Sequence, residues 1–418
     1  MIMNQTSLPI GIIGLGNRGY GLLYEILDSM PDIDVLAVCD SYIDRANHGA
    51  ARVFACRGHQ PFITTDAHTL LANAKKMGLA CVMICTAWEA HIPLCIEAME
   101  YGIPCGCEVG GAYSVEQCWD LVRTYERTKT PVMLLENCCY GKEEMTILNM
   151  IKHGVFGEIV HCEGGYRHDL RDEITEGEIH RHYRRRNYLN RNGELYPTHE
   201  LGPIAKYLNL NRGNRMLTLT STSCGAHGLY TFNHAAHDAN FPTRDDRFMQ
   251  GDVVTTVIKC AHGQTIVLTH DTSLPRPYSR GNLCQGTFGI WSEDKHAVML
   301  TDHGKESDHE WTPLEKMYEK WLHPLWRHYD AVGGHDGMDY LVLSAFFDAV
   351  RNDTPMPIDV YDMASWMVVT ALSEQSVAMG SMPVPIPDFT NGMWLCRAPY
   401  HRSRYCLEDV CEECFSTK

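Results

Sequence analysis

The sequence of 418 residues lacks the features that would place it in a membrane or on nucleic acid. It has no apolar run that approaches the roughly 20 residues of a membrane-spanning helix. Positive charge is scarce, because 36 lysines and arginines face 52 aspartates and glutamates, which gives a formal net charge of -16. Since nucleic-acid phosphates require a basic face, we expect no nucleic-acid partner and favour neutral or cationic small molecules.

The first ten residues also lack the positively charged segment and the apolar core of a secretory signal. We therefore expect a cytoplasmic protein whose 18 cysteines are reduced. The tail holds Cys396, Cys406, Cys411 and Cys414 with His401 nearby. Only Cys411 and Cys414 have a C-x-x-C spacing, and the other half of a zinc site is badly spaced, so we predict thiols and no bound metal.

The pattern of apolar runs predicts two domains of different kinds, at residues 1–139 and 140–418. Short apolar runs alternate with helical patterns in the first third, which predicts a doubly wound parallel sheet with helices on both faces. After Cys139 the runs are longer and β-branched, which predicts an α+β domain with a large open, mostly antiparallel sheet. The polar, arginine-rich stretch 168–195 is predicted to be a functional loop or a run of short helices.

The run from Gly14 to Gly19 has the G-x-G-x-x-G spacing of a dinucleotide-binding turn. It follows a predicted strand and opens a helical pattern, which is the context that this short motif requires. Gly14 permits the tight turn, Gly16 lets the backbone approach a pyrophosphate, and Gly19 permits close packing of helix on strand. Asp40 ends the next predicted strand, where its carboxylate accepts from a ribose 2′-hydroxyl and repels a 2′-phosphate. These residues predict bound NAD rather than NADP.

Several segments together resemble glycoside hydrolase family 109, the NAD-dependent α-N-acetylgalactosaminidases within the glucose–fructose oxidoreductase and inositol dehydrogenase (Gfo/Idh/MocA) superfamily. The matching segments are 14–19 (GLGNRG), 107–109 (CEV), 135–137 (LEN), 168–171 (HDLR), 191–199 (RNGELYPTH), 201–203 (LGP) and 333–335 (GGH). The Tyr-Pro-Thr-His run is specific, whereas the glycine fingerprint is not. The chain departs from the usual family residues at Gly110, Glu200 and Asp336. The resemblance implies a Rossmann half, an open-sheet half and glycosidase activity on N-acetylgalactosaminides or related hexosaminides.

The same resemblance implies a cofactor site and a sugar site. Beside the three glycines and Asp40, the implied cofactor residues are Asn17, Arg18, Trp88, His91, Glu108, Val109 and Asn137. The implied sugar-site residues are Tyr166, Arg184, Tyr196, Pro197, Thr198, His199 and Tyr278. Arg184 stands beside Arg185 and Arg186, so the substrate contact among these three stays open. Trp88 either stacks on the cofactor or fills the core.

The lysine that commonly serves as base in the wider superfamily is absent here, because Val109 follows Glu108. The remaining acid–base candidates are Tyr196 and His199 on one short loop, together with Tyr166, His168 and Asp169. Histidine can take and give a proton near neutral pH, and a tyrosine can serve if a cation lowers its pKa. We predict Tyr196 and His199 as the catalytic residues. His168 and Asp169 form either a functional pair or an ion pair.

Transient oxidation of the sugar at C3 explains why such groups are needed. The C3 ketone acidifies the C2–H, a base removes that proton, the aglycone leaves C1, water adds, and the hydride returns. Two alternatives stay open: an NAD-dependent sugar or cyclitol dehydrogenase, which would accumulate NADH, and a non-catalytic NAD- or sugar-binding sensor. His335, Asp336 and Asp339 suggest a tight turn rather than a metal cluster. We also expect a homo-oligomer.

Overall fold

The structure, a computed structural model, describes residues 7–305, 309–330, 332–397 and 403–415. His401 of the cysteine-bearing tail lies outside these residues. The described strands form two sheets, one of six strands from the first part of the chain and one of nine strands from the remainder. No helix within the described ranges is long and apolar enough to cross a membrane.

The first sheet is parallel throughout, with the strand order β3-β2-β1-β4-β5-β6. Its strands are β1 (Leu8–Ile13), β2 (Ile33–Cys39), β3 (Phe62–Thr64), β4 (Cys81–Ile84), β5 (Cys105–Cys107) and β6 (Val132–Leu134). The helices between them are α1 (Asn17–Ser29), α2 (Ile43–Arg57), α3 (Ala67–Asn73), α4 (Trp88–Glu100) and α5 (Val115–Thr128). The predicted doubly wound sheet is confirmed, and its strand order is that of dinucleotide-binding folds.

The second sheet has the order β14-β13-β12-β11-β7-β10-β9-β8-β15. Its strands are β7 (Ile159–Arg167), β8 (Met216–Ser223), β9 (Val253–Cys260), β10 (Thr265–Asp271), β11 (Leu283–Gly286), β12 (Gly289–Ser292), β13 (Ala297–Leu300), β14 (Thr312–Pro313) and β15 (Val384–Pro385). The pair of β7 with β10 is parallel, and the other described pairs are antiparallel. The predicted open, mostly antiparallel sheet is therefore confirmed.

The remaining helices belong to the second part of the chain. They are α6 (Lys142–Lys152), α7 (Arg171–Thr175), α8 (Arg184–Asn190), α9 (Thr198–Tyr207), α10 (Gly228–Ala236), α11 (Glu315–Trp321), α12 (Pro324–His328), α13 (Met338–Asn352), α14 (Val360–Ala378) and α15 (Glu412–Phe415). The short helices α7 and α8 lie in the stretch 168–195, as predicted. Helix α9 packs on β7 of the second sheet, α13 packs on α1 and on the 3-10 turn Asn137–Tyr140, and α14 packs on α5 and on β8 of the second sheet.

A buried cluster of charges fixes α9 to α14 and to the C-terminal tail. Lys206 Nζ lies 2.9 Å from Asp362 Oδ2 and 2.8 Å from Glu408 Oε1. Arg212 Nη1 donates to the other oxygen of Asp362 at 2.8 Å. These residues are all buried. Because an uncompensated buried charge is costly, the cluster sets the position of α9, whose first turn carries part of the site described below.

His323 precedes α12 and is buried against the tail. Its Nδ1 accepts the N–H of Leu325 at 3.1 Å, and its ring lies 4.8 Å from the ring of Phe415. Burial, together with the positive charge of Arg327, lowers the pKa of His323 to about 3. The ring therefore stays neutral in the folded protein between about pH 6.5 and pH 4. In the same range the histidine of an unfolded chain gains a proton.

We expect His323→Asn to flatten the dependence of stability on pH between about 6.5 and 4. In that window the unfolded chain binds a proton at His323 that the folded chain does not, so the free energy of unfolding of the wild type falls as the pH falls. Asparagine keeps a capping acceptor but takes no proton. Urea unfolding at several pH values checks this, with the exposed His303→Asn as control. Parallel pH curves for wild type and His323→Asn would contradict it.

Candidate active site

In the glycine turn between β1 and α1, two of the three glycines leave no space for a Cβ atom, whereas the third does. Gly14 has a φ of +95°, and a Cβ there would lie 2.5 Å from the carbonyl oxygen of Cys85. A Cβ on Gly19 would collide with the carbonyl oxygen of Gly14. At Gly16, by contrast, the nearest atom to a Cβ is Arg45 Nη1 at 3.7 Å. The first and third glycines therefore serve packing, and the middle one leaves the backbone open to a ligand.

A cavity of about 350 Å³ lies in front of this turn. Its lining residues are Leu15, Gly16, Asn17, Tyr20, Asp44, Arg45 and His48. Asp40, at the end of β2, is buried, and it accepts the N–H of Leu15 at 2.7 Å and the N–H of Tyr42 at 2.9 Å, one at each oxygen. Each carboxylate oxygen keeps a lone pair for a further donor. The turn thus presents the N–H groups at the start of α1, which have no side-chain cap, beside the buried carboxylate of Asp40.

Arg18, at the start of α1, joins two buried carboxylates, Glu108 after β5 and Asp339 at the start of α13. Its Nε donates to Glu108 Oε1 at 3.0 Å, and its two terminal nitrogens donate to the two oxygens of Asp339 at 2.6 and 2.8 Å. Asp339 also accepts from Asn137 Nδ2 at 2.8 Å and lies 2.8 Å from His335 Nδ1. Burial alone would raise the pKa of Asp339, but Arg18 and His335 hold it well below its usual range. The guanidinium charge is thus already balanced by protein carboxylates.

Asp339 is the residue of this cluster whose role the sequence did not predict. The sequence placed it in a turn with His335 and Asp336, and the turn is present: positive φ values occur at Gly333, His335, Asp336 and Gly337. The carboxylate itself reaches Arg18, which lies 321 positions earlier in the chain. No local spacing signals a contact over that separation.

Tyr196 and His199 meet at the first turn of α9, with Pro197 and Thr198 buried between them. His199 Nδ1 lies 2.7 Å from Glu136 Oε1, and His199 Nε2 lies 3.3 Å from the hydroxyl of Tyr196. Burial alone would raise the pKa of Glu136, but His199 and the hydrogen bonds to this carboxylate lower it. His199 thus lies between a buried carboxylate and a tyrosine hydroxyl, which is the geometry of a proton-transfer chain.

The pKa of Tyr196 is raised well above its ordinary value. Burial is the largest cause, the neighbouring Tyr166 adds to it, and the positive charge of Arg184 opposes it. A nearby arginine is therefore present, as the sequence suggested, but burial outweighs it. Tyr196 is therefore a protonated phenol, placed to donate or relay a proton to His199 Nε2 at 3.3 Å.

Arg184 is the arginine of its run that faces the tyrosines. It is 7% exposed, and its Cζ lies 5.1 Å from the ring centroids of Trp88 and Tyr196. Its Nε lies 2.6 Å from Glu173 Oε1 in an ion pair, but neither Nε nor Nη1 makes a hydrogen bond within the described residues. Arg185 pairs with Asp246, and Arg186 pairs with Glu89. Because an unpartnered buried donor is costly, Arg184 Nη1 is placed to bind a ligand oxygen.

Tyr166, at the end of β7, brings a second histidine to the same place. Its ring lies 4.4 Å from the ring of Tyr196, and its hydroxyl lies 3.4 Å from His168 Nδ1. The ring of His168 lies 4.9 Å from that of Tyr278, which is 50% exposed at the rim. Asp169 forms a bidentate ion pair with Arg171 rather than with His168. His168 is therefore left to face Tyr166 and Tyr278.

Trp88 and His91, at the start of α4, are both buried. The Trp88 ring lies 4.9 Å from that of Tyr183 and 5.6 Å from that of Tyr196, so it packs against these two tyrosines. A Cβ on Gly110 would lie 2.6 Å from the Trp88 ring, which explains the glycine there. His91 Nε2 lies 2.9 Å from the carbonyl oxygen of Thr86, and burial lowers the pKa of this histidine. Its contact in the structure is with backbone.

Glu136, Cys138 and His199 are the one group within the described ranges whose atoms are close enough to share a metal ion. Arg280 Nη1 lies 3.4 Å from Cys138 Sγ, so a cation would meet a positive charge there. It would also have to displace the hydrogen bond between His199 and Glu136. This geometry favours proton transfer over metal binding.

Comparison with solved structures places the fold among the dinucleotide oxidoreductases. An inositol dehydrogenase homolog of Azotobacter vinelandii, solved with NAD+, superposes with a TM-score of 0.65 at 15% identity, over 92% of this chain and 100% of that one. An oxidoreductase of Agrobacterium radiobacter, solved with NAD+, L-tartaric acid and magnesium, gives 0.63 at 18% identity, over 91% and 99%. At these identities the likeness shows the fold alone.

Comparison of sequences gives the family. The model of the glycosyl hydrolase 109 C-terminal domain matches residues 140–396. A glycosyl hydrolase family 109 protein of Stenotrophomonas maltophilia is 38% identical over 94% of this chain and 91% of its own length. The α-N-acetylgalactosaminidase of Tannerella forsythia is 38% identical over 95% and 89%. The chain belongs to glycosyl hydrolase family 109, a glycoside hydrolase family, and the resemblance inferred from its sequence is confirmed.

The glycine turn gives a matched pair of variants. We expect Gly19→Ala to lower the free energy of unfolding by about 1–3 kcal/mol, because its methyl group overlaps the Gly14 carbonyl. Gly16→Ala should change it by less than about 0.5 kcal/mol, because φ is -66° and the space is open. Urea unfolding of both variants without ligand measures the difference. Equal losses would show that Gly16 also serves packing.

Proposed function

We propose that the chain is an NAD-dependent glycosidase that cleaves N-acetylgalactosaminides or related hexosaminides. One observation carries this proposal: the adjacent residues Glu136 and Asn137 join the acid–base pair to the nucleotide side. Glu136 lies within hydrogen-bond distance of His199. Asn137 donates to Asp339, which also accepts from Arg18. Acid–base groups thus lie directly beside a nucleotide turn. The name of the Tannerella forsythia relative supports the choice of sugar.

The residues present fit NAD. Gly16 and Asn17 would hold the pyrophosphate through the open start of α1, and Asp40 would accept from a ribose. Glu108, Val109 and Asn137 would line the nicotinamide end. When bound, NAD supplies the chemistry by accepting hydride from the sugar C3 and returning it. Because the cofactor is restored in each cycle, tight retention is expected.

The chain's own residues would then move protons. Tyr196 bonds the reacting sugar group and relays a proton to His199 Nε2, while Glu136 stabilises the charge formed on the imidazole. Arg184 Nη1 binds an acceptor oxygen of the sugar. Tyr166 and Tyr196 flank the sugar, and Tyr278 stands at the rim of the site. Pro197 and Thr198 hold the spacing between Tyr196 and His199.

Two further features extend the proposal. We infer that residues 1–139 and 140–418 act as the NAD-binding and substrate domains of a cytoplasmic protein. We also infer a homo-oligomer that forms through the open face of the second sheet. On β9 that face carries Thr255, Val257 and Lys259, while Val254, Thr256 and Ile258 point inward. Val257 is 45% exposed, which suits burial against another copy.

The glycosidase proposal is tested with nitrophenyl hexosaminides in the presence of NAD. We expect phenol release without net NADH accumulation, and a fall in kcat of at least about 10²-fold in His199→Ala, because the acid–base group is lost. His262→Ala, an exposed histidine between β9 and β10, is the matched control and should behave as wild type. Stoichiometric NADH formation without phenol release would favour the dehydrogenase alternative instead.

Asp339 generates a separate prediction about the cofactor. Asp339→Asn should weaken NAD binding by about 10- to 100-fold, because Arg18 and Asn137 lose a charge-assisted partner worth about 1.5–3 kcal/mol. Calorimetric titration with NAD measures this directly. Asp336→Asn, an exposed residue in the same turn, is the control. Wild-type affinity in Asp339→Asn would limit the role of Asp339 to folding.

A further inference from the structure

A second tyrosine–histidine pair lies beside the Tyr196–His199 pair. The Tyr166 hydroxyl lies 3.4 Å from His168 Nδ1, compared with 3.3 Å between Tyr196 and His199 Nε2. The two tyrosine rings are 4.4 Å apart. One pair comes from the end of β7 and the other from the first turn of α9. The site therefore holds two proton-transfer units on two different elements.

The two units differ in the charge behind each histidine. His199 is backed by the buried carboxylate of Glu136 at 2.7 Å. The carboxylate next to His168 in sequence, that of Asp169, is engaged by Arg171 at 2.8 and 2.7 Å. Burial and the positive charge of Arg184 lower the pKa of His168, so its ring is neutral at pH 7. A neutral imidazole can accept a proton at one ring nitrogen and give up a proton from the other ring nitrogen.

Tyr166 is suited to give a proton in this second unit. It is 6% exposed, and burial raises the pKa of its hydroxyl, so the group is protonated. Arg184 Cζ lies 5.5 Å from its ring and would stabilise a transient phenolate. The backbone N–H of His168 donates to the carbonyl oxygen of Asp271 at 2.9 Å. This bond fixes the residue at the rim, beside the exposed Tyr278. His168 can therefore exchange protons with water.

We propose that Tyr166 and His168 are the catalytic acid–base pair for the oxygen on C1, separate from the pair that serves the sugar carbons. This assignment rests on the proposed glycosidase function. As the C1–O bond breaks, its electron pair goes to the departing oxygen, which takes the Tyr166 proton. Water then adds to C1, one water proton passes to His168 Nε2, and His168 Nδ1 returns a proton to Tyr166. The C2 proton leaves to, and returns from, the Tyr196–His199 pair.

The first test varies the leaving group. In Tyr166→Phe we expect kcat/KM to fall at least about 10²-fold for phenyl and methyl hexosaminides, and less than about 10-fold for dinitrophenyl hexosaminides, which need little protonation. Wild type should vary much less along the series. Tyr125→Phe on α5, away from the site, is the control. Equal losses for every leaving group would overturn the assignment of Tyr166.

The second test separates the two halves of the reaction in His168→Gln. We expect a rapid release of one equivalent of nitrophenol per site, followed by a steady state at least about 10²-fold slower, because the addition of water lacks its base. Added imidazole should restore the steady rate. Proportional slowing of both phases without rescue would reduce His168 to a structural role and overturn its assignment.

A third measurement separates this inference from the proposed function. NADH absorbance on addition of the free sugar, and deuterium uptake at C2 in heavy water, report the half served by Tyr196 and His199. We expect both signals to persist in Tyr166→Phe, which keeps the ring that flanks the sugar, and in His168→Gln. A parallel loss of these signals would overturn the separate role of the second pair. If wild type with NAD cleaves no hexosaminide at all, the glycosidase proposal itself fails, and this assignment fails with it.

Discussion

The ion pair between Arg18 and Asp339 is the contact on which the rest of the site depends. It joins the start of α1, which follows β1 of the first sheet, to the start of α13, which lies between β14 and β15 of the second sheet in the sequence. Asn137 binds the same carboxylate, and its neighbour Glu136 holds His199. Since a buried charge without its partner is strongly destabilising, this contact fixes the relative position of the nucleotide turn and the acid–base residues.

The position of the proposed proton acceptor would distinguish this chain from dehydrogenases of similar fold. In the wider superfamily a lysine next to the glutamate at the end of the fifth strand commonly serves as base. Here Val109 occupies that place and is buried. His199 comes instead from α9, on the side of the second sheet. Under the proposed function, the scaffold would keep its nucleotide turn while the proton acceptor comes from a different element of the fold.

The sequence predicted what depends on local spacing and missed what depends on distant pairing. The glycine turn and the parallel sheet follow from short patterns, and the structure contains both. The Tyr-Pro-Thr-His run was predicted as one short loop, which is wrong, because Thr198 and His199 lie in the first turn of α9. The partner of His199 is Glu136, 63 positions away, and no local pattern indicates that pair. The sequence also could not tell which of Arg184, Arg185 and Arg186 faces the tyrosines. The structure distinguishes them, because Arg185 and Arg186 form ion pairs elsewhere. The direction of the pKa shift of Tyr196 could not be predicted without knowing how deeply the side chain is buried. Burial raises this pKa more than the neighbouring arginine lowers it.

The distance of 321 positions between Arg18 and Asp339 also bears on how the protein is made. Chains fold from the N-terminus during synthesis, so the first sheet can form long before α13 leaves the ribosome. Until then Arg18 lacks its second carboxylate, and Asn137 lacks the acceptor that positions it. The nucleotide side of the site is therefore assembled late. A nascent or prematurely ended chain would contain the glycine fingerprint in full and still lack a finished site.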